Sequence, residues 1–223
     1  EMVSYRASES DPGTFMVVVT PGLDLQPITN GADYVFVLDV SGSMKGKIHT
    51  LVQGVVKALR DMKPEDRFRI ITFNTRARDL TGGWVPATPA NVQDAVTKIE
   101  SINPSDGTDL YSGINMAVKR LDDDRATSVI LVTDAVTNSG IVDPREFHKL
   151  LRQYDLRLFG FVIGNSGNWP LMRAMADASG GFSTGVSNAD DILGQIMLAK
   201  SKVTHESLHD ARWRISGVKT FDT

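Results

Sequence analysis

The 223-residue sequence contains no cysteine, which removes disulfides, thiolate metal sites and thiol nucleophiles together. The absence leaves the compartment open, because proteins of oxidising compartments can also lack cysteine. Positive charge is not in excess. Lys and Arg number 24 against 27 Asp and Glu, a net charge of -3, so the basic footprint of a nucleic-acid binder is missing. No apolar run approaches the roughly 20 residues that a membrane helix needs, so no insertion into a bilayer is expected. The chain opens on Glu1 without a signal peptide, as expected of a piece of a longer protein, and that absence therefore excludes nothing. There is no internal repeat and no low-complexity stretch.

What is there is ordinary globular composition, 41% apolar and 23% charged, arranged in two alternating patterns. Tyr34–Leu38, Ile70–Phe73, Val129–Val132 and Leu158–Ile163 are continuous apolar runs rich in β-branched and aromatic residues. Such runs suit strands of a parallel sheet covered on both faces. Between them lie helical stripes. Ile48, Leu51, Val52, Val55, Val56 and Leu59 make one, and Val92, Ala95, Val96, Ile99 and Ile102 another. Leu110–Leu121 and Phe147–Tyr154 carry two more, Pro170 suits a first helical turn, and a last helix is expected over about Ala189–Lys202. Alternating strands and helices imply a doubly wound α/β sheet with right-handed crossovers. A short segment at Ala77–Leu80, following Asp66–Asn74 closely, predicts an antiparallel edge strand. Phe15–Thr20 and Ala211–Ser216 read as flanking β-strands, paired with each other or with a neighbouring domain.

Three polar clusters fall where strands end. Asp39-Val40-Ser41-Gly42-Ser43 follows the first core strand, Asp106-Gly107-Thr108-Asp109 precedes the helix at Leu110, and Thr133-Asp134 closes the strand Val129–Val132. Open α/β sheets bind ligands beyond the carboxyl ends of their strands, where the strand order reverses. If the first strand and the Val129 strand are neighbours there, the clusters meet in one crevice. Asp39 and Asp134 offer carboxylates, while Ser41, Ser43 and Thr108 offer hydroxyls. A set of oxygens without His or Cys suits a hard cation, Mg²⁺ first, with Mn²⁺ or Ca²⁺ as alternatives. If the hydroxyls bind directly and the aspartates act partly through water, the ion keeps an open position for a partner's carboxylate.

Each part also has a simpler reading. Ser41 or Ser43 can cap the helix that follows, Asp106 or Thr108 the helix at Leu110, and Asp134 can be a turn residue. Two enzymatic readings compete as well. His205-Glu206-Ser207-Leu208-His209 matches the zinc-protease pattern H-E-x-x-H, but Arg212 and Ile215 stand where a metzincin would carry Gly and its third His. Asp39 could be a phosphoryl-accepting nucleophile, yet Ser41 stands where phosphatases of the haloacid dehalogenase type carry a second Asp. Asp122-Asp123-Asp124 reads as a solvated corner, His49 and His148 as surface residues, and Trp169 as either a partner contact or local packing beside Pro170.

Asp39-x-Ser41-x-Ser43, then Thr108, then Asp134 resembles the metal-ion-dependent adhesion site of von Willebrand factor A domains, over about Ala32–Lys202. Asp33–Met44, with Pro64-Glu65-Asp66-Arg67-Phe68, looks closest to inter-alpha-trypsin inhibitor heavy chains and their bacterial relatives. In those proteins a smaller β domain precedes this one. The resemblance implies that Ser41, Ser43 and Thr108 contact metal directly, and that Asp39 and Asp134 bind directly or through water. It departs at Ala135, where the family often has Gly and where a methyl would crowd the ligand face.

The resulting expectation is a doubly wound, mostly parallel six-stranded sheet with one antiparallel edge strand, helices on both faces, and flanking β-strands from both termini. The domain would span 32–203, with a flanking β segment at 1–31 and a C-terminal β segment at 204–223. It would be a non-catalytic adhesion or interaction module that captures an acidic group of a protein partner through Mg²⁺. The loops Asn74–Arg78, Asn138–Asp143 and Asn165–Trp169 would set specificity. The resemblance implies an extracellular, cell-surface or periplasmic setting.

Overall fold

The structure, a computed structural model, describes residues 2–8, 11, 13–17, 31–122, 125–164 and 167–202. The chain divides into two compact units, one drawn from residues 1–27 and 205–223, the other Ile28–Thr204. In the smaller unit β1 (Met2–Tyr5) pairs antiparallel with β2 (Thr14–Val17), with Met2 opposite Val17. The expected strand near Phe15 is present, with β1 as its partner. The one expected at Ala211–Ser216 lies outside the described residues.

The larger unit opens with β3 (Asp33–Asp39), α1 (Ile48–Arg60), β4 (Arg67–Phe73) and two short strands, β5 (Ala77–Asp79) and β6 (Val85–Pro86). Next come α2 (Pro89–Glu100), α3 (Leu110–Ala117), β7 (Thr127–Thr133) and α4 (Pro144–Leu151). The unit closes with β8 (Arg157–Ile163), α5 (Trp169–Ala178), β9 (Phe182–Val186) and α6 (Ala189–Ser201). The main sheet runs β5-β4-β3-β7-β8-β9, and β5 is the antiparallel edge strand expected from the sequence. A second antiparallel piece, the two-residue β6, pairs with the start of β4.

β3 lies between β4 and β7, parallel to both, with Phe36 beside Ile70 and Ile130. All seven of its residues are buried, because the pleat sends alternate side chains into two separate cores. Tyr34, Phe36 and Leu38 face the core built with α1, α2 and α6, whereas Val35 and Val37 face the one built with α3, α4 and α5. This is why the strand is apolar without alternation. α1 and α6 approach closely at Gly54, where an added Cβ would lie 2.6 Å from Ile192.

The base of the sheet is locked by polar groups. Asp33, fully buried, accepts hydrogen bonds from Arg67 Nε (2.9 Å) and Nη2 (2.5 Å) and from Arg125 Nε (2.6 Å). Asp66 ties the loop before β4 to the entry of β3 by accepting from Ala32 N at 3.0 Å. Gly31, at φ 71°, presses so close to Glu65 that a Cβ would sit 2.0 Å from its carbonyl oxygen. The segment Pro64–Phe68 therefore serves the scaffold at the end of the sheet away from the three polar clusters. Asp122 belongs here too, pairing with Arg67 at 2.9 Å, while Asp123 and Asp124 lie outside the described residues.

Candidate metal centre

Because β3 and β7 are neighbours, Asp39 at the end of one and Asp134 just past the other share the crest of the sheet. The 102–109 loop is stitched beside them by its backbone. Ser105 N donates to Val40 O and Gly42 N to Asp106 O, both at 3.0 Å. Gly42 is needed at this crossing, since a Cβ there would stand 3.1 Å from Asp106 O. On its other side Thr108 meets the 135–139 loop. Its amide donates to Asn138 Oδ1 (2.9 Å), and its carbonyl accepts from Thr137 Oγ1 (3.1 Å) and from the amides of Asn138 and Ser139. Three segments far apart in sequence thus form one bonded crest.

The candidate ligands differ in setting. Asp39, Ser41, Thr108 and Asp134 are buried, and Ser43 is exposed. Ser41 Oγ and Ser43 Oγ are 3.1 Å apart. Asp39 accepts from Ser41 N through Oδ1 (2.9 Å) and from Thr133 Oγ1 through Oδ2 (2.5 Å). Burial pushes the Asp39 carboxyl above its ordinary range, opposed by the bonds from Ser41 and Thr133 and reinforced by the charge of Asp134. Asp134 Oδ2 receives the ammonium of Lys47 at 2.8 Å, and its Oδ1 accepts from Val136 N at 3.2 Å. Among the described residues no three His, Cys, Asp or Glu side chains converge on one point, so the crest is a site of two carboxylates and hydroxyls.

The capping alternatives do not hold for most of these residues. Ser41 makes no side-chain capping bond to the 3₁₀ turn Gly42–Met44, and α1 starts after Lys47. The cap of α3 is Asp109, whose carboxylate accepts from Ser112 N at 3.0 Å, leaving Thr108 and Asp106 out of that role. Asp134 does make a turn bond, to Val136 N, but its second oxygen is turned to Lys47.

Three further residues hold the crest: the sequence placed Thr133 in the third polar cluster and Asn138 in a rim loop without giving either a contact, and it did not mark Lys47. Thr133 orients Asp39 and at the same time accepts from Ala135 N (2.9 Å). Lys47 bridges Asp134 and the carbonyl of Ser43 (3.3 Å). Asn138 holds the Thr108 amide. No periodicity marks Lys47, and the contacts of all three are set by tertiary structure. Ala135 adopts φ 56°, a left-handed conformation that a Cβ disfavours by about 1–2 kcal/mol. A glycine would be relieved there for backbone reasons, a different cost from the crowded ligand face expected of its methyl. Trp169 turns out to begin α5 and packs partly buried on the second core, its ring 3.7 Å from the position of a Cβ on Gly185. His49 and His148 are exposed, and the His205–His209 motif lies outside the described residues.

A doubly wound, mostly parallel sheet with helices on both faces and a crest of polar loops at the β3/β7 junction defines the class of open α/β domains. The family profile described as von Willebrand factor type A domain matches residues 32–184, more than half of the chain, and the chain belongs to that family. The inter-alpha-trypsin inhibitor heavy chain H3 of Mesocricetus auratus is 30% identical over 195 residues, covering 78% of this chain and 22% of its own. The chain therefore spans about a fifth of the length of that relative. Among solved structures, a von Willebrand factor type A protein from Catenulispora acidiphila superposes with TM-score 0.69 at 18% identity, covering 77% of this chain and 43% of the other. Proximal thread matrix protein 1 of the mussel byssus, in a form with a zinc-occupied MIDAS motif, superposes with TM-score 0.60 at 16% identity, covering 75% and 46%. No helix among the described residues is long and apolar enough to cross a membrane.

Proposed function

We propose that the chain is a divalent-metal-dependent protein-binding module that captures an acidic side chain of a partner protein through Mg²⁺, with Mn²⁺ or Ca²⁺ as alternatives. The ion would be held by the hydroxyls of Ser41, Ser43 and Thr108 and, directly or through water, by Asp39 and Asp134. The observation that carries this reading is the crest itself. Two buried carboxylates and a hydroxyl pair 3.1 Å apart converge from loops bonded to one another, and the serines and Thr108 are not spent on capping.

The donor set fits the ion. All donors are hard oxygens, and with neutral hydroxyls binding directly and the aspartates partly through water the ion would keep residual positive charge. When bound, the ion would supply a positive charge that a partner's carboxylate completes. The protein's own part is to hold the donors still. Ser41 N and Thr133 Oγ1 fix both oxygens of Asp39, and the 135–139 loop fixes the main chain of Thr108. The rim beside it carries exposed Val136, Ile141 and Val142, an apolar border for a docked partner. Zinc in the corresponding motif of the mussel protein supports a metal role for this crest.

The phosphatase alternative lacks its acid/base partner, because Ser41 stands two residues after Asp39 where enzymes of that type carry a second Asp. We read the module as non-catalytic, spanning 32–203 and flanked by β segments at 1–31 and 204–223. It would belong to a longer protein in an extracellular, cell-surface or periplasmic setting, as for the heavy chains it resembles.

Calorimetric titration of chelated protein with Mg²⁺ tests the site. Thr108→Ala removes a donor from a loop distant in sequence from Asp39, and is expected to weaken binding about tenfold, roughly 1.4 kcal/mol. Unchanged affinity would remove Thr108 from the site. A screen of acidic peptides should find binding in Mg²⁺ that vanishes in chelator, and binding that survives chelation refutes metal-bridged capture.

A further inference from the structure

Lys47 is the one cation within bonding distance of the crest carboxylates among the described residues, and neither capping nor fold accounts for its side chain. It leaves the chain at the N-cap position of α1, where it makes no side-chain capping bond. From there the side chain folds back over the crest. Its ammonium donates to Asp134 Oδ2 at 2.8 Å and to Ser43 O at 3.3 Å. It passes under Gly164, where a Cβ would stand 3.5 Å from Lys47 Cε. Asp134 is only 2% exposed while Lys47 is 33% exposed, so the carboxylate is fixed and the ammonium is the movable partner.

We propose that Lys47 is a tethered counter-ion that competes with the divalent metal for Asp134. This rests on the metal reading above. The physical conflict is direct: an ion that uses Asp134, itself or through a water, needs the negative charge that the ammonium already neutralises. Two cations a few ångströms apart in a partly buried site repel strongly. Lys47 must therefore swing outward when the ion enters, which its long, one-third-exposed stem permits.

The arrangement serves both states of the crest. Without metal, the ammonium compensates a carboxylate that water barely reaches. With metal, breaking that pair subtracts from the affinity, so Lys47 sets the ion concentration at which the site fills. Lys45, two residues earlier and exposed, has no such contact.

The experiment is Mn²⁺ binding to chelator-stripped protein, read from the free-ion paramagnetic resonance signal, for wild type, Lys47→Met, Lys47→Gln and Lys45→Met. Melting of each protein in chelator and in saturating Mn²⁺ accompanies it. The two Lys47 variants are expected to bind Mn²⁺ about tenfold more tightly than wild type. They should also melt lower than wild type in chelator, with the deficit closing in Mn²⁺. Lys45→Met controls for the loss of one positive charge and should match wild type in both readouts. Binding by the Lys47 variants but not by wild type is the same result in its strongest form. Wild-type binding with equal or weaker affinity in both Lys47 variants overturns the competition and leaves the metal site standing. Absence of binding in every protein overturns the metal reading and the competition with it.

Discussion

Replacing the carboxylate of Asp39 by an amide of the same shape separates its electrostatic from its structural role. In the chelated protein this side chain has no ion-pair partner among the described residues; its oxygens take one backbone and one hydroxyl bond, at 2.9 and 2.5 Å. In Asp39→Asn the amide oxygen can keep the bond from Ser41 N, while the hydroxyl of Thr133 must turn. That exchanges a charge-assisted bond for a neutral one, a loss of about 1 kcal/mol. Against it stands relief from holding a charge in a fully buried position, worth at least as much. Without metal, Asp39→Asn should therefore melt at or above the wild-type temperature. With Mg²⁺ at about a hundred times its dissociation constant, the wild type should gain about 2.7 kcal/mol. For a domain of this size that is a rise of roughly 5–11 °C, which the variant should lack.

The pH dependence follows from the same carboxyl. Its folded pKa is raised, by burial first of all, so its contribution to stability is complete below the unfolded carboxylate value near ~4. That contribution is lost as pH rises through the folded value. The chelated wild type should thus lose ground to Asp39→Asn as pH climbs, and the Mg²⁺ gain should grow over the same interval, because the ion displaces a proton. Differential scanning fluorimetry across pH, with and without Mg²⁺, measures all of this. An equal Mg²⁺ shift in the variant, or a drop of more than about 4 °C in chelator, would refute the reasoning.

Two further expectations concern the scaffold. Asp33→Ala strips Arg67 and Arg125 of a fully buried partner and should cost about 3–5 kcal/mol in denaturant melts. Metal affinity should stay unchanged, because Asp33 sits at the opposite end of β3, roughly 20 Å from Asp39; loss of metal binding in a folded Asp33→Ala would contradict the separation. Asp79 is the case opposite to Asp39. Burial raises its pKa, but the bonds and charge of Arg69 outweigh burial and hold it below the ordinary value. Its stabilisation is present above the unfolded carboxylate value and lost as pH falls through the folded one, so the deficit of Asp79→Asn at neutral pH should vanish in strong acid; a deficit constant with pH would assign it to packing instead.

Much of this protein is written in local pattern. The buried runs at Tyr34–Leu38, Ile70–Phe73, Val129–Val132 and Leu158–Ile163 all become core strands, because a strand covered on both faces must be apolar at every position. The helical stripes become α1–α6 with ends shifted by a few residues, since caps such as Thr88, Asp143 and Asn188 set the boundary more sharply than periodicity does. β9 had no such mark. Phe182-Ser183-Thr184-Gly185-Val186 is a half-exposed edge, polar enough to read as loop, and it becomes a strand because β8 offers it a free row of backbone groups.

The candidate ligands were legible for a similar reason. Asp39, Ser41, Ser43, Thr108 and Asp134 stand at strand and helix boundaries, where three polar clusters are conspicuous against the apolar runs beside them. What they face was not legible. That β3 and β7 are neighbours, that Thr133 orients Asp39, that Lys47 reaches Asp134 across 87 residues, and that Ala135 bears a left-handed backbone are facts of tertiary structure. Hydrophobic periodicity reports which face a residue turns to the core, and it is set by neighbours within a turn or a pleat. The charge balance of the crest is set by groups that meet only after the sheet has formed, and no local pattern records them.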